Sequence, residues 1–177
     1  MVRKNIAVLA FAAVLLAGSS PVLAEPMAAS QTIVGAAIAS KDHTTLVAAV
    51  KAADLVDTLN SAGPFTVFAP TNAAFAKLPA GTVETLLKPE NKATLAKILT
   101  YHVVAGKVSA AQLVGMINAG GGKAVLTTVA GGKLTASIMG SSVMLADEKG
   151  GMATVIAADL MESNGVIHVT DAVSLPN

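Results

Sequence analysis

Three histidines, His43, His102 and His168, are the side chains in this sequence best suited to proton transfer or metal ligation near neutral pH. Zinc is ordinarily held by closely spaced ligand pairs, and these three fall far apart along the chain. The chain has no cysteine, so it offers neither a thiolate nucleophile nor a thiolate ligand, and it has no Gly-x-Ser-x-Gly elbow. His168 and Asp171 are three apart within a predicted strand, which sends them to opposite faces. The carboxylate pairs Glu84/Glu90 and Asp147/Glu148 sit among lysines and glycines, the setting of solvated helix faces and turns. Gly120-Gly121-Gly122-Lys123 has the composition of a phosphate loop without its spacing. It lacks a hydroxyl residue after the lysine and precedes a predicted strand where a helix is required. The residues therefore imply no catalytic group, no metal and no cofactor.

What chemistry remains is recognition, and composition narrows its kind. Met1 to Asn5 carries Arg3 and Lys4, and Ile6 to Ala17 is an apolar run of twelve residues. Val22-Leu23-Ala24 then supplies a cleavage site, the three-part grammar of an export signal over residues 1–24. A membrane span needs ~20 apolar residues, so this run is too short to be one. The expected product starts at Glu25, has no span and is exported to the periplasm or the extracellular space. It carries ten lysines against eleven acids and no arginine. With scattered lysines and four aromatics (Phe65, Phe68, Phe75 and Tyr101), it lacks the clustered cations and stacking rings of a nucleic-acid binder.

The elements that must position any site follow from periodicity. After a short tail over residues 25–31, apolar residues recur at helical spacing through Ile33, Val34, Ile38, Leu46, Val50, Leu55 and Leu59. Asp42 and Thr44 are candidate caps between the first two helices. Phe65 to Ala69 reads as a strand ended by Pro70, and Thr71 as the cap of a turn that buries Phe75. Helices are predicted over Ala80–Leu87, Asn91–Leu99 and Ala110–Ile117. Strands are predicted over Tyr101–Ala105, Ala124–Val129, Lys133–Met139, Val143–Ala146, Ala153–Leu160 and Val166–Val173, with glycine-rich separators. Helices first and strands last indicate an α+β domain with an antiparallel sheet.

Three segments carry a family resemblance. Thr66-Val67-Phe68-Ala69-Pro70-Thr71-Asn72-Ala73-Ala74-Phe75 resembles the first signature block of fasciclin-like domains. Tyr101-His102 with Val103 and Val104 resembles their tyrosine–histidine block, and Asn164 to Asp171 (NGVIHVTD) their last block. Order and spacing agree, and the resemblance covers one domain over residues 32–177. It implies a β-wedge of about seven strands flanked by helices. It also implies a non-catalytic role in cell adhesion, matrix attachment or protein interaction, with an extracellular or envelope protein or glycan as partner and the domain itself monomeric.

The resemblance also marks candidate partner-binding residues. In matrix relatives the tyrosine–histidine block is implicated in receptor binding, which points to Tyr101 and His102, although a fully buried pair serves the fold instead. A second adhesion motif of the family, Glu-Pro-Asp-Ile-Met, is matched here by Ala157-Ala158-Asp159-Leu160-Met161. Asp159, Leu160 and Met161 keep its aspartate–aliphatic core, while the Glu-Pro pair is missing. Asp159 otherwise reads as an exposed charge at a strand end, whose removal should barely alter stability. A competing reading, a periplasmic carrier of a small apolar or glycan ligand, rests on an alanine-rich sequence able to line a cleft.

Overall fold

The computed structural model describes residues 31–177. The expected signal over 1–24, and the tail up to its last residue, lie outside the described residues. Thr32 opens α1 (Ile33–Ala39), its Oγ1 accepting the Gly35 amide at 3.2 Å. A 3-10 turn (Lys41–His43), α2 (Thr44–Ala52) and α3 (Val56–Asn60) follow. Ile33, Val34, Leu46, Val50 and Leu59 form their buried stripe. The caps differ from expectation. Ser40 Oγ, not Asp42, takes the amide that starts the 3-10 turn, at 3.3 Å. Thr44 is instead the first residue of α2, and that helix is capped from a distance by Asn72. Asn72 Oδ1 accepts the Thr45 amide at 3.0 Å and the Thr44 hydroxyl at 3.2 Å, while its Nδ2 donates to the Lys41 carbonyl at 3.0 Å. A short polar side chain thus satisfies orphan groups on another segment, as a local cap would.

The remaining elements are β1 (Phe65–Pro70), α4 (Asn72–Ala76), α5 (Thr82–Leu86), a 3-10 turn (Pro89–Asn91) and α6 (Lys92–Tyr101). Then come β2 (Val103–Ala105), α7 (Ala110–Ala119), β3 (Lys123–Thr127), β4 (Lys133–Met139), β5 (Ser142–Ala146), β6 (Met152–Glu162) and β7 (Gly165–Thr170). Thr71 caps α4 as expected, accepting the Ala74 amide at 3.2 Å. Tyr101 does not begin a strand. It ends α6, and the strand starts only at Val103. Leu95, Ile98, Leu99 and His102 recur at the helical interval and are all buried, so the helical stripe extends past the point where β-branched residues begin.

The strands form one sheet in the order β2-β1-β7-β6-β5-β4-β3. An isolated bridge between Val104 and Thr128 draws its two ends together, giving a nearly closed wedge. This is the α+β architecture with seven strands. It is not wholly antiparallel, however: β1 and β7 run parallel from Phe65↔Gly165 to Pro70↔Thr170. All the intervening elements form their crossover, which is how parallel neighbours must be joined. Gly165 is needed where these strands meet, because a Cβ there would collide with the Phe65 carbonyl.

Alternation along β1 divides the interior in two. Val67 and Ala69 face the helical layer with Ile33, Leu46, Val50, Phe75, Leu99, Ile167 and Val169. Phe68 faces the inside of the wedge with Tyr101, Leu113, Ile117, Leu134 and Leu145. Phe75 is 7% exposed, turned inward by the Thr71 cap.

Candidate functional site

β6 is the longest strand, and it changes partners along its length. Met152 to Thr154 pairs with β5, whereas Val155 to Glu162 pairs with β7. From Val155 on, the opposite edge has no strand partner among the described residues. Two register shifts interrupt the β7 pairing, between Val155 and Ala157 and between Ala157 and Leu160. Asp159 sits in the second with φ of 59°, a left-handed conformation that aspartate tolerates better than most side chains. The bulge leaves Ile156, Leu160 and Met161 at 57%, 44% and 43% exposure.

Asp159 is exposed, but it is not an idle charge. Its Oδ1 accepts the Ala110 amide at 2.7 Å, at the first residue of α7. A carboxylate there satisfies a free helix amide and faces the positive end of the helix dipole. The expectation of a strand-end charge without a structural role is therefore corrected. The five residues Ala157 to Met161 contain one anchor to the fold and two large exposed apolar side chains, Leu160 and Met161.

Tyr101 and His102 lie elsewhere and face inward, at 0% and 3% exposure. The Tyr101 hydroxyl donates to the Lys133 carbonyl at 2.6 Å and accepts the Glu148 amide at 3.2 Å, joining α6 to the strand hairpins. His102 Nδ1 bonds the Ile98 carbonyl at 2.8 Å, and Nε2 accepts the Ser174 amide at 3.0 Å. Those partners require a neutral ring protonated on Nδ1. Burial pushes the His102 pKa below its ordinary value, against the Ile98 hydrogen bond and the charge of Asp147. His168 is likewise enclosed, stacked on Phe68 at 5.5 Å, with Nε2 on the Val108 carbonyl at 2.8 Å. Among the described residues no three His, Cys, Asp or Glu side chains are grouped as a metal site requires.

The fasciclin domain model matches residues 41–176. The chain belongs to the fasciclin domain family. It is 55% identical over 147 residues to the protein sll1483 of Synechocystis sp., covering 83% of this chain and 74% of that one. It is 40% identical over 146 residues to the immunogenic protein MPB70 of Mycobacterium bovis, covering 80% and 67%. The fold matches a solved FAS1 domain pair from the insect cell adhesion molecule fasciclin I, with a TM-score of 0.72 at 19% identity. That match covers 82% of this chain and 51% of the solved one, so the chain spans about half the pair.

In this fasciclin domain the two asparagines of the long blocks are scaffold. Asn164 Oδ1 accepts the Ile33 amide at 3.0 Å, and Nδ2 donates to the Leu59 and Ser61 carbonyls at 2.7 and 3.0 Å. It does for α1 and α3 what Asn72 does for α2. His43, which the sequence offered only as one of three scattered histidines, lies beside the exposed end of β6. His43 is 6% exposed; its Nδ1 meets the Ser40 hydroxyl at 2.8 Å, while Nε2 is buried without a hydrogen bond. A buried unpaired polar atom costs about 1–3 kcal/mol, so this one requires a reason. Burial lowers the His43 pKa, opposed by the Asp42 charge and the Ala69 carbonyl. That carbonyl is near enough to influence the ring, but it does not meet hydrogen-bond geometry with Nε2. The Ser40-x-x-His43 spacing was the available sequence signal, a serine whose hydroxyl can reach a side chain one turn on.

Proposed function

We propose that this fasciclin domain is an exported, non-catalytic interaction module that works in cell adhesion or surface association. Its docking face is the bulged half of β6, with Leu160 and Met161 as the residues that touch the partner, an extracellular or envelope protein or glycan. The observation that carries this reading is the exposure of Ile156, Leu160 and Met161 along a strand edge without a partner, Leu160 and Met161 on its two opposite sides. The bulge at Asp159 bends that edge, which discourages strand addition and favours recognition by side chains. Tyr101 and His102 support the face indirectly, by holding α6 and the C-terminal segment in place, since neither side chain reaches the surface. The solved neighbour is a cell adhesion molecule by name, which agrees with the reading. Among the described residues no helix is long and apolar enough to cross a membrane.

The carrier reading finds less support. The apolar cleft between the helical layer and β1, lined by Val34, Leu46, Val50, Leu99 and Val103, measures 30 Å³. Ligand sites usually measure about 300–1,000 Å³ and enclose most of the ligand. The two clefts of that size, 390 Å³ beside Thr94, Ile98 and Leu175 and 400 Å³ beside Val108, Gln112 and Met116, are open to solvent. The test is cross-linking capture from intact cell envelopes, comparing the native chain with Leu160→Asp and Met161→Asp. A native-only partner, lost in both variants while their unfolding curves stay native, is the expected result. Equal capture by all three sinks the proposed face.

A further inference from the structure

Charge is unevenly distributed along this chain. From Asn91 to Ala146, the stretch that supplies α6, β2, α7, β3, β4 and β5, there are five lysines and no Asp or Glu. The rest of the chain from Glu25 onward carries five lysines against eleven acids. Two of the first five are engaged: Lys92 pairs with Asp54 at 2.6 Å, and Lys97 donates to the Asn177 carbonyl. Lys107, Lys123 and Lys133 are exposed and form no ion pair among the described residues. Lys123 and Lys133 share one surface, the outer face of β3, β4, β5 and the start of β6. Alternation turns Leu126, Leu134 and Leu145 inward onto Leu113 and Ile117 of α7, and so turns their neighbours outward. Val125 stands in register with Met152 through Thr135 and Ala146, and Lys123 with Met144 through Ser137. Val125 and Met139 are 60% exposed and Met152 52%. This face spans about 14 Å across its four strands and about 20 Å along β4. It holds two lysines, no carboxylate and no aromatic ring. Glu148 borders its Lys133 end, where Oε1 accepts the Lys133 amide at 3.0 Å. Asp171 borders it at Thr154, ion-paired with Lys77 at 3.3 Å.

We infer that this outer face docks on an anionic lipid surface. Lys123 and Lys133 meet the phosphate headgroups, and Val125, Met139 and Met152 enter the boundary between headgroups and acyl chains. Peripheral binding of this kind needs cations drawn by the negative surface potential, together with apolar side chains that gain by leaving water. Methionine suits such a boundary, because its unbranched thioether chain adapts to an irregular, fluid neighbour. The serine and threonine hydroxyls between the apolar residues can donate to phosphate and ester oxygens. A second copy of the chain fits badly, since a two-fold contact would bring together two lysine-bearing faces with no carboxylate to pair. A nucleic acid fits badly too, for want of arginine and of rings on which bases stack. This inference stands apart from the β6 docking edge: Leu160 and Met161 lie beyond the residues of β6 that pair with β5.

The test is sedimentation of the chain from Glu25 onward with vesicles of phosphatidylcholine alone, and of phosphatidylcholine mixed with phosphatidylglycerol. Binding to the mixed vesicles only, falling as salt rises above about 0.15 M, is the expected result. Lys123→Gln and Lys133→Gln should each lower the partition coefficient about fivefold. Val125→Thr, which keeps a β-branched side chain, should lower it about threefold. Met139→Asp, at the exposed end of β4, removes an apolar group and adds a repelled charge, and should lower it at least tenfold. Lys51→Gln, on α2 outside the face, and Leu160→Asp, on the β6 docking edge, should bind as the native chain does. Absence of binding to the mixed vesicles, equal binding to both kinds, or an equal loss in Lys51→Gln overturns the lipid surface. Envelope capture is run in parallel with Lys123→Gln and Lys133→Gln. A captured protein that both variants lose, with no vesicle binding by the native chain, assigns the face to an acidic protein and also overturns it.

Discussion

The Ser174 amide donates to Nε2 of His102 at 3.0 Å, tying the C-terminal segment to the end of α6. The same ring holds the Ile98 carbonyl through Nδ1, so one neutral imidazole stitches two segments that are distant in sequence. Protonation of Nε2 would set two N–H groups against each other. Folding therefore selects the neutral ring, and the lowered pKa states this as a proton balance.

Stability should accordingly fall with acid. An unfolded histidine titrates near about pH 6.5, above its folded value here, so between the two the unfolded chain binds more protons. The stabilisation is fully present above the unfolded value and is lost as pH drops below it. His43, whose pKa is also lowered by burial, acts in the same direction. Urea midpoints taken at about pH 7.5 and about pH 5 should decline for the native chain and decline less for His102→Gln. Equal slopes in the two proteins would remove His102 from the account.

The block Thr66–Phe75 was legible because its logic is local: alternation across one strand, a proline stop, a hydroxyl cap and an inward ring. Thr71→Ala should cost about 0.5–2 kcal/mol through loss of the Ala74 hydrogen bond. Phe75→Ala should cost about 3–5 kcal/mol, because Phe75 is enclosed with Leu46 and Val50 in the helical-side core. Urea unfolding of both variants checks the order, and a Phe75→Ala protein as stable as Thr71→Ala contradicts it.

Other features escaped the sequence for physical reasons. The pairing of β1 with β7 joins residues about a hundred apart, and no local pattern encodes such a partner. Asn72 and Asn164 were legible only as members of the family blocks, since their bonds to Thr45 and Ile33 close over 27 and 131 residues. Tyr101 was assigned to a strand because Val103 and Val104 follow it, while the helical stripe from Leu95 was already set and ran on to His102. Of the candidate partner-binding residues, Tyr101 and His102 could be read from the sequence either as a binding pair or as scaffold, and the structure places both inside; nothing in the sequence showed that Asp159 holds a helix.

Asn164 offers a sharper test than simple truncation. Asn164→Ala removes three hydrogen bonds at once, each worth about 0.5–1.5 kcal/mol net. Asn164→Asp keeps the acceptor for the Ile33 amide but turns its second oxygen on the Leu59 and Ser61 carbonyls. It should therefore destabilise at least as much as alanine near neutral pH and recover as the carboxyl is protonated in acid. Thermal melts of the two variants across that range read this directly, and an aspartate variant as stable as the native chain would refute the donor role.

Asp159 separates scaffold from surface at the proposed docking face. Three features hold it in place: the left-handed backbone at φ 59°, the Oδ1 bond to the Ala110 amide, and the Asp159 amide donating to His168 Nδ1 at 3.4 Å. Asparagine retains a side-chain oxygen and tolerates that backbone, so Asp159→Asn should stay within about 0.5 kcal/mol of native. Glycine relieves the backbone but loses the bond, and alanine loses the bond while keeping the strain. Asp159→Gly should thus cost about 1 kcal/mol and Asp159→Ala about 1–2 kcal/mol. Leu160→Ser, on an exposed neighbour, should change stability little while weakening partner capture. The order asparagine, glycine, alanine in urea midpoints, together with near-native unfolding of Leu160→Ser, is the expected pattern. If alanine proves as stable as asparagine, the helix anchor assigned to Asp159 is wrong, and its charge is free to act on the partner.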